Sequence, residues 1–396
     1  MKILVINAGS TTLKYQLINS EDESVIAKGL CERIGGTGVI NYNKKDGSKA
    51  SETVEMPDHS VALKLVIEKL TDPEFGLVKD LSEIDAVGHR VVHGGESFSS
   101  SVVINDEILE EIRACSDLAP LHNPANILGI NACRKLMPGV PNVAVFDTAF
   151  HQTMPEKAYI YGLPYSYYEK YKVRRYGFHG TSHSFVSKRA IELLGKPAED
   201  TKIIVCHLGG GASITAVNGG KSVDTSMGMT PLEGLIMGTR SGSIDPAIIE
   251  YIAHKEESGI DDIMNILNKK SGIYGISGIS SDMRDIDAGY ENGDAKATIA
   301  FKVFCYQAAK LIGGYIAAMN GVDSIVFTAG IGEHDALVRE EILSYFGYLG
   351  ITLNKEVNDN SHDEALISGE DSRVKVYAIP TNEELAIARE TVALVK

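Results

Sequence analysis

The sequence predicts an α/β fold built as two related halves, and three observations carry that expectation. Apolar runs ending in glycine alternate with helical patterns along the chain, as in proteins that pack helices on a sheet. Two of those runs, Lys2 to Gly9 and Lys202 to Gly209, repeat one pattern 200 positions apart. The length of 396 residues exceeds what one hydrophobic core organises, and 44% apolar residues can fill two cores.

Taken in order, the strand-like runs are Lys2 to Gly9, Ala86 to Gly94, Val143 to Thr148, Lys202 to Gly209, Ser324 to Gly330 and Val374 to Pro380. Helical periodicity predicts helices over His59 to Leu70, Asn123 to Leu136, Ser182 to Leu194, Pro246 to Leu267, Ala295 to Met319 and Glu383 to Val395. After Gly9 and after Gly209 comes a turn of small residues, then a second strand, Lys14 to Asn19 or Ile214 to Val217. Each half therefore opens with a glycine-turned hairpin, and a diverged duplication and a chance likeness of short strands both produce that echo. No low-complexity linker separates the halves, but the tyrosine-rich stretch Pro155 to Tyr171 marks a boundary near residue 150. With the last helix returning to the first domain, the expected domains are 1–149 plus 384–396, and 150–383.

Composition excludes several classes of function. A formal charge of −15 disfavours nucleic acid and anionic membrane surfaces as partners, since both demand a basic face. No run of about eighteen uncharged apolar residues occurs, and Met1-Lys2 leads straight into a strand, so a cytoplasmic protein without a signal peptide is expected. The five cysteines, Cys31, Cys115, Cys133, Cys206 and Cys305, are scattered and lack C-x-x-C spacing, which predicts reduced, buried thiols.

Three strand-ending loops expose backbone N–H groups in the manner of phosphate cradles: Asn7 to Lys14, His207 to Ser213 and Thr328 to His334. One such loop reads as a structural turn, whereas three in one chain favour phosphate. Gly220-Lys221-Ser222 ends like a nucleotide-binding P-loop, but Thr215 stands where the first glycine belongs, so Asn218-Gly219-Gly220 reads as a hairpin turn. No loop reads G-x-G-x-x-G.

Arg90 and Arg240 both stand in glycine-flanked strand-end loops, where a guanidinium serves equally as a phosphate ligand or as half of a salt bridge. Asp147 ends an otherwise apolar strand, which favours a functional carboxylate over a solvated one. His179 and His183 have i, i+4 spacing without the glutamate or third ligand of a zinc helix. His183 reads as structural, and His179 as a possible donor to a moving phosphoryl group. Thr381 with Glu384 fits a capping box, leaving Glu383 either solvated or available to magnesium.

The blocks Asn7 to Ser10, Gly88 to Gly94, Val145 to His151, Arg175 to His183, Gly238 to Pro246 and Thr381 to Glu384 resemble those of the acetate kinase family, in order and over the whole chain. The resemblance implies two duplicated ribonuclease H-like, actin-like ATPase domains with a nucleotide cleft between them, usually in a homodimer. It implies reversible transfer from ATP to acetate by magnesium-dependent chemistry, with manganese as a substitute. It assigns Asn7 and Glu383 to the metal, Arg90 to the substrate, Asp147 to the active site, and His179 and Arg240 to the transition state. Lys14, His207, Leu208, Gly209, Gly210, Gly211, Asp282, Met283, Arg284, Gly330, Ile331, Gly332, Glu333 and His334 are implied to contact nucleotide. Val92, Leu121, Phe178 and Pro231 are implied to enclose the acyl methyl group. Thr12, Gly210 and His334 depart from the family's usual Ser, Asn and Asn, which bears on the choice of phosphoryl donor.

A carboxylic acid is already ionised at neutral pH, so its kinase needs charge neutralisation rather than a general base. The rival expectations are a propionate or butyrate kinase, and a chaperone-like or filament-like ATPase of the same superfamily.

Overall fold

The computed structural model describes residues 1–43, 47–73, 76–120 and 122–396. The chain forms two compact units, Met1–Gln152 with Asn382–Lys396, and Thr153–Thr381.

In the first unit the strands are β1 (Lys2–Ala8), β2 (Thr12–Asn19), β3 (Val25–Glu32), β4 (Gly36–Asn43), β5 (Lys49–Met56), β6 (Ala86–Val91), β7 (Val102–Val103) and β8 (Asn142–Phe146). Among the described residues they form one sheet in the order β5-β4-β3-β2-β1-β6-β8-β7. β1 is central, antiparallel to β2 and parallel to β6. Ile3, Leu4, Val5 and Ile6 are buried on both faces, which explains the unbroken apolar run.

Each face of this sheet is covered. Helix Glu383–Val395 places Ile387 and Ala388 in a cluster with Ile3, Val5, Ile18, Ala86, Val143 and Val145. Helices His59–Thr71 and Asn123–Leu136 cover the opposite face, where Leu63, Val66 and Cys133 meet Leu4, Ile6 and Val87. Gly88 is required by the first docking: a Cβ there would lie 2.5 Å from Thr391 Oγ1 and 2.7 Å from Ile387 Cγ2.

The second unit contains β9 (Lys202–Leu208), β10 (Ala212–Asn218), β11 (Lys221–Thr225), β12 (Ser324–Thr328), β13 (Ala365–Leu366) and β14 (Lys375–Ala378), ordered β11-β10-β9-β12-β14-β13. The directions repeat those of β3-β2-β1-β6-β8-β7: each central strand has an antiparallel neighbour on one side and two successive parallel ones on the other. An antiparallel strand closes that second side in both sheets. The echo between Lys2 and Lys202 is thus one end of a duplicated topology, to which the first unit adds β4 and β5. The β10–β11 hairpin turns at Gly219 and Gly220, both with φ near +60 to +75°.

Three sequence expectations are corrected. The helix expected over Pro246 to Leu267 is two helices, Ala247–Lys255 and Ile260–Lys269, because Ser258 and Gly259 are poor helix formers and Glu257 takes a φ of +49°. The run from Ser324 stops at Thr328, where Ala329 at φ +64° turns the chain into the short helix Ala329–His334. Thr381 and Glu384 form no capping box. Asn382 caps the last helix by accepting from Leu385 N at 3.0 Å, Thr381 N donates to Glu333 Oε1 at 3.0 Å, and Glu384 pairs with Lys14.

All five cysteines are buried and unbridged. Among the described residues no helix is long and apolar enough to cross a membrane.

Candidate functional site

The first unit gathers Asn7, Arg90, Asp147 and Glu383. Asn7 and Arg90 come from the parallel neighbours β1 and β6, and Asp147 follows β8, so the sheet register brings the strand ends together. Arg90 binds Asp147 bidentately, Nε to Oδ1 at 2.9 Å and Nη2 to Oδ2 at 2.6 Å, and Nη1 reaches Asn7 Oδ1 at 3.4 Å. Burial works against the Arg90 cation, but Asp147 together with Glu383 and Glu384 outweighs it and the net shift is upward.

Glu383 sits in the first turn of the last helix, whose N-terminus favours a negative charge. Burial nevertheless pushes its carboxyl up, against the counter-pull of Arg90, and it forms no hydrogen bond or ion pair among the described residues. Lys14 is half exposed and pairs with Glu384 instead. Among the described residues no group of three His, Cys, Asp or Glu side chains is placed to hold a metal. The hard oxygens of Asn7 and an unpartnered Glu383 do suit magnesium, which takes one or two carboxylates and completes its shell with water and substrate phosphates.

Asn126, on helix Asn123–Leu136, locks these strand ends in place. Its Oδ1 accepts from Val92 N at 3.1 Å, and its Nδ2 donates to Ala8 O at 2.7 Å. Val92 is thereby held, buried, just beyond β6. Leu121 lies outside the described residues.

In the second unit three histidines surround Ser213 and Ser182. His179, at φ +57°, precedes helix Gly180–Leu194. Its Nδ1 lies 2.9 Å from Ser213 Oγ, and His183 Nε2 lies 2.7 Å from the same oxygen. The His179 ring stacks on His207 with centroids 4.1 Å apart, while His207 Nδ1 lies 2.8 Å from Ser182 Oγ.

The Cε1–Nε2 edge of His179 approaches the glycine loop. A Cβ built on Gly211 would lie 3.5 Å from both His179 Nε2 and Arg240 Nη1, so imidazole and guanidinium converge there. Arg240 donates to Pro231 O at 3.2 Å, and burial lowers its pKa because no carboxylate partners it among the described residues. Pro231 thus adjoins Arg240, and buried Phe178 directly precedes His179. Val92 belongs to the other unit.

A cavity of about 670 Å³ lies beside the same loop, lined by Gly209, Gly210, Asp282, Met283, Arg284, Gly330, Ile331 and His334. Five residues that sequence reasoning missed complete its wall: Ser281, Asp287, Asp335, Ala336 and Leu337. They lie within three positions of expected ones, which was the available signal. Five expected nucleotide residues of this unit stand elsewhere. Leu208 is fully buried in the core, and His207 stacks under His179. Gly211 belongs to the His179 and Arg240 group, and Gly332 backs onto Cys206 and Phe327. Glu333 also turns inward, accepting from Ala329 N at 2.8 Å and Thr381 N at 3.0 Å. Ser213 and Asn126, which position His179 and Val92, carried no signal beyond their neighbourhoods.

Comparison with known proteins places this geometry. A model of the acetokinase family matches residues 2–389. The acetate kinase of Agathobacter rectalis is 64% identical over 396 residues, covering 100% of both chains. The crystal structure of Porphyromonas gingivalis acetate kinase superimposes with a TM-score of 0.96 at 45% identity, covering 100% of both chains. That of a propionate kinase from Francisella tularensis gives 0.92 at 43% identity, covering 99% of both. With a family match over nearly its whole length and this fold, the chain belongs to the acetokinase family.

Proposed function

We propose that this chain is an acetate kinase that moves the terminal phosphoryl group of ATP reversibly to acetate, giving ADP and acetyl phosphate by direct in-line transfer. The observation that carries the reading is Arg240: a half-buried guanidinium with no carboxylate partner among the described residues, converging with His179 Nε2 on a glycine loop. Such a cation lacks only an anion, and a phosphoryl group in transfer spreads negative charge over its oxygens.

In this reading Arg240 neutralises those oxygens, and His179, held through Nδ1 by Ser213, donates to them from Nε2. Gly209, Gly210, Asp282, Met283, Arg284, Gly330, Ile331 and His334 hold the nucleotide in the cavity of the second unit. In the first unit Arg90 holds the acetate carboxylate and Asp147 orients Arg90. Asp147 removes no proton, because the acceptor carries its charge already. Val92, Leu121, Phe178 and Pro231 are assigned to the methyl group. Asn7 and Glu383 would hold magnesium, which when bound neutralises phosphate charge and orients the terminal group. The protein acts as a cytoplasmic homodimer in this reading, which a sedimentation measurement tests.

The test mixes protein, Mg-ATP and hydroxylamine with acetate, propionate or butyrate. Acyl hydroxamate forms with acetate fastest, since each added methylene changes discrimination by about 1–3 kcal/mol. EDTA abolishes the product, and Arg240→Ala lowers kcat by about 10²-fold. No hydroxamate from any acid overturns the assignment, and ATP hydrolysis indifferent to acetate points to an actin-like or chaperone-like ATPase.

A further inference from the structure

Two carboxyl groups in the cavity wall have no role in the proposed chemistry. Asp287 lies on helix Met283–Glu291, and Asp335 caps helix Ala336–Ser344, its Oδ1 accepting from Val338 N at 2.9 Å. Both residues line the cavity of about 670 Å³. Their side chains are within hydrogen-bond reach of each other. Asp287 Oδ1 and Asp335 Oδ2 are both buried, and neither accepts a hydrogen bond from another group among the described residues.

Two carboxylate oxygens packed together out of water repel if both are charged, and bind strongly through a short O–H···O bond if they hold one proton. The surroundings favour keeping that proton. Glu291 and Asp282 add negative charge from the Asp287 helix and its cap, while Cys305 faces the pair from helix Ala295–Met319 as a neutral thiol. The cation that acts on Asp335 is Arg339, one turn along from it. Its guanidinium is committed to the carbonyl oxygens of Gly332, Glu333 and Asn358 and to Asn358 Oδ1.

We propose that Asp287 and Asp335 share one proton and through it clamp helices Met283–Glu291 and Ala336–Ser344 together as the wall of the nucleotide cavity, so that nucleotide binding weakens when alkali removes the proton. The inference rests on the nucleotide reading of that cavity. Burial, then the facing Asp335, push Asp287 up to about 8, which sets the pH range of the test. Loss of the proton to solvent leaves two buried like charges, relieved only by parting of the helices.

Calorimetric titration of the full chain with Mg-ADP between about pH 6.5 and 9.5 tests this. Affinity falls by about fivefold between pH 8 and 9, and by about tenfold for each further unit, at the limit where only the protonated pair binds. Titrations at pH 8.5 in two buffers of different ionisation enthalpy show proton uptake on binding. Asp287→Asn and Asp335→Asn each supply a permanent N–H donor and make the affinity independent of pH. Asn caps a helix as well as Asp, so Asp335→Asn spares the helix start. An alkaline fall retained in the variants overturns the inference. So does wild-type binding without pH dependence or proton uptake, a result that needs no folded variant. Failure to bind Mg-ADP at neutral pH overturns the nucleotide reading as well.

Discussion

Arg90 and Arg240 have similar local sequence and opposite surroundings. Arg90 is locked to Asp147, whereas Arg240 is half-buried with no carboxylate partner among the described residues. Asp147→Asn lowers kcat/KM for the acid about 10-fold or more by loosening Arg90, and the pH–rate profile keeps its shape. An acid limb present in the wild type and missing in the variant would instead make Asp147 a base. Ser213→Ala frees His179 and His183 from their common anchor. It is expected to lower kcat more than it raises the KM for ATP, as steady-state kinetics would show. His89 supplies a pH dependence of stability: burial lowers its pKa to about 4, and Nε2 sits 2.7 Å from Asn142 Oδ1. Below pH 6.5 the unfolded chain binds a proton that the folded His89 refuses. Stability present above 6.5 is lost progressively down to about pH 4, by roughly 3 kcal/mol. His89→Gln removes that part of the acid loss, measured by urea unfolding at successive pH values.

At the scale of elements, the last helix is the joint on which the first unit depends. It fills one face of the sheet, and its first turn carries Glu383 and Glu384. Asn382→Ala removes the cap on Leu385 N and costs about 1 kcal/mol. Gly88→Ala drives a methyl into Thr391 and Ile387 and costs about 1–3 kcal/mol, read as a lower urea midpoint. Much of this was legible beforehand, because the helix from Glu383 to Val395 and the strand through Gly88 both show in local periodicity. The capping box was misread because Thr381 and Asn382 each suit a cap. Which of them serves was decided by Glu333 Oε1, which engages Thr381 N from 48 positions away. Strands β3, β4 and β5 escaped notice for a different reason. β5 alternates exposed and half-buried residues and lies at the sheet edge, so its stability comes from pairing with β4 rather than from its own apolar content.

For the whole molecule, two units with separate sheets predict that deleting Asn382–Lys396 destroys one core and leaves the other with its sheet cover. Scanning calorimetry of the shortened chain is expected to lose the transition of the first unit while retaining that of the second. By itself the sequence determined the α/β class, the glycine-ended strands, the two hairpins and the family, because these are written in patterns spanning a few residues and repeated along the chain. Tertiary structure alone decided which charges meet. Arg90 finds Asp147 57 positions away, His179 finds Ser213 34 away, and Asp287 finds Asp335 on another helix. A periodic pattern specifies which face of an element is buried, while the partner across that face is set by strand order and helix packing.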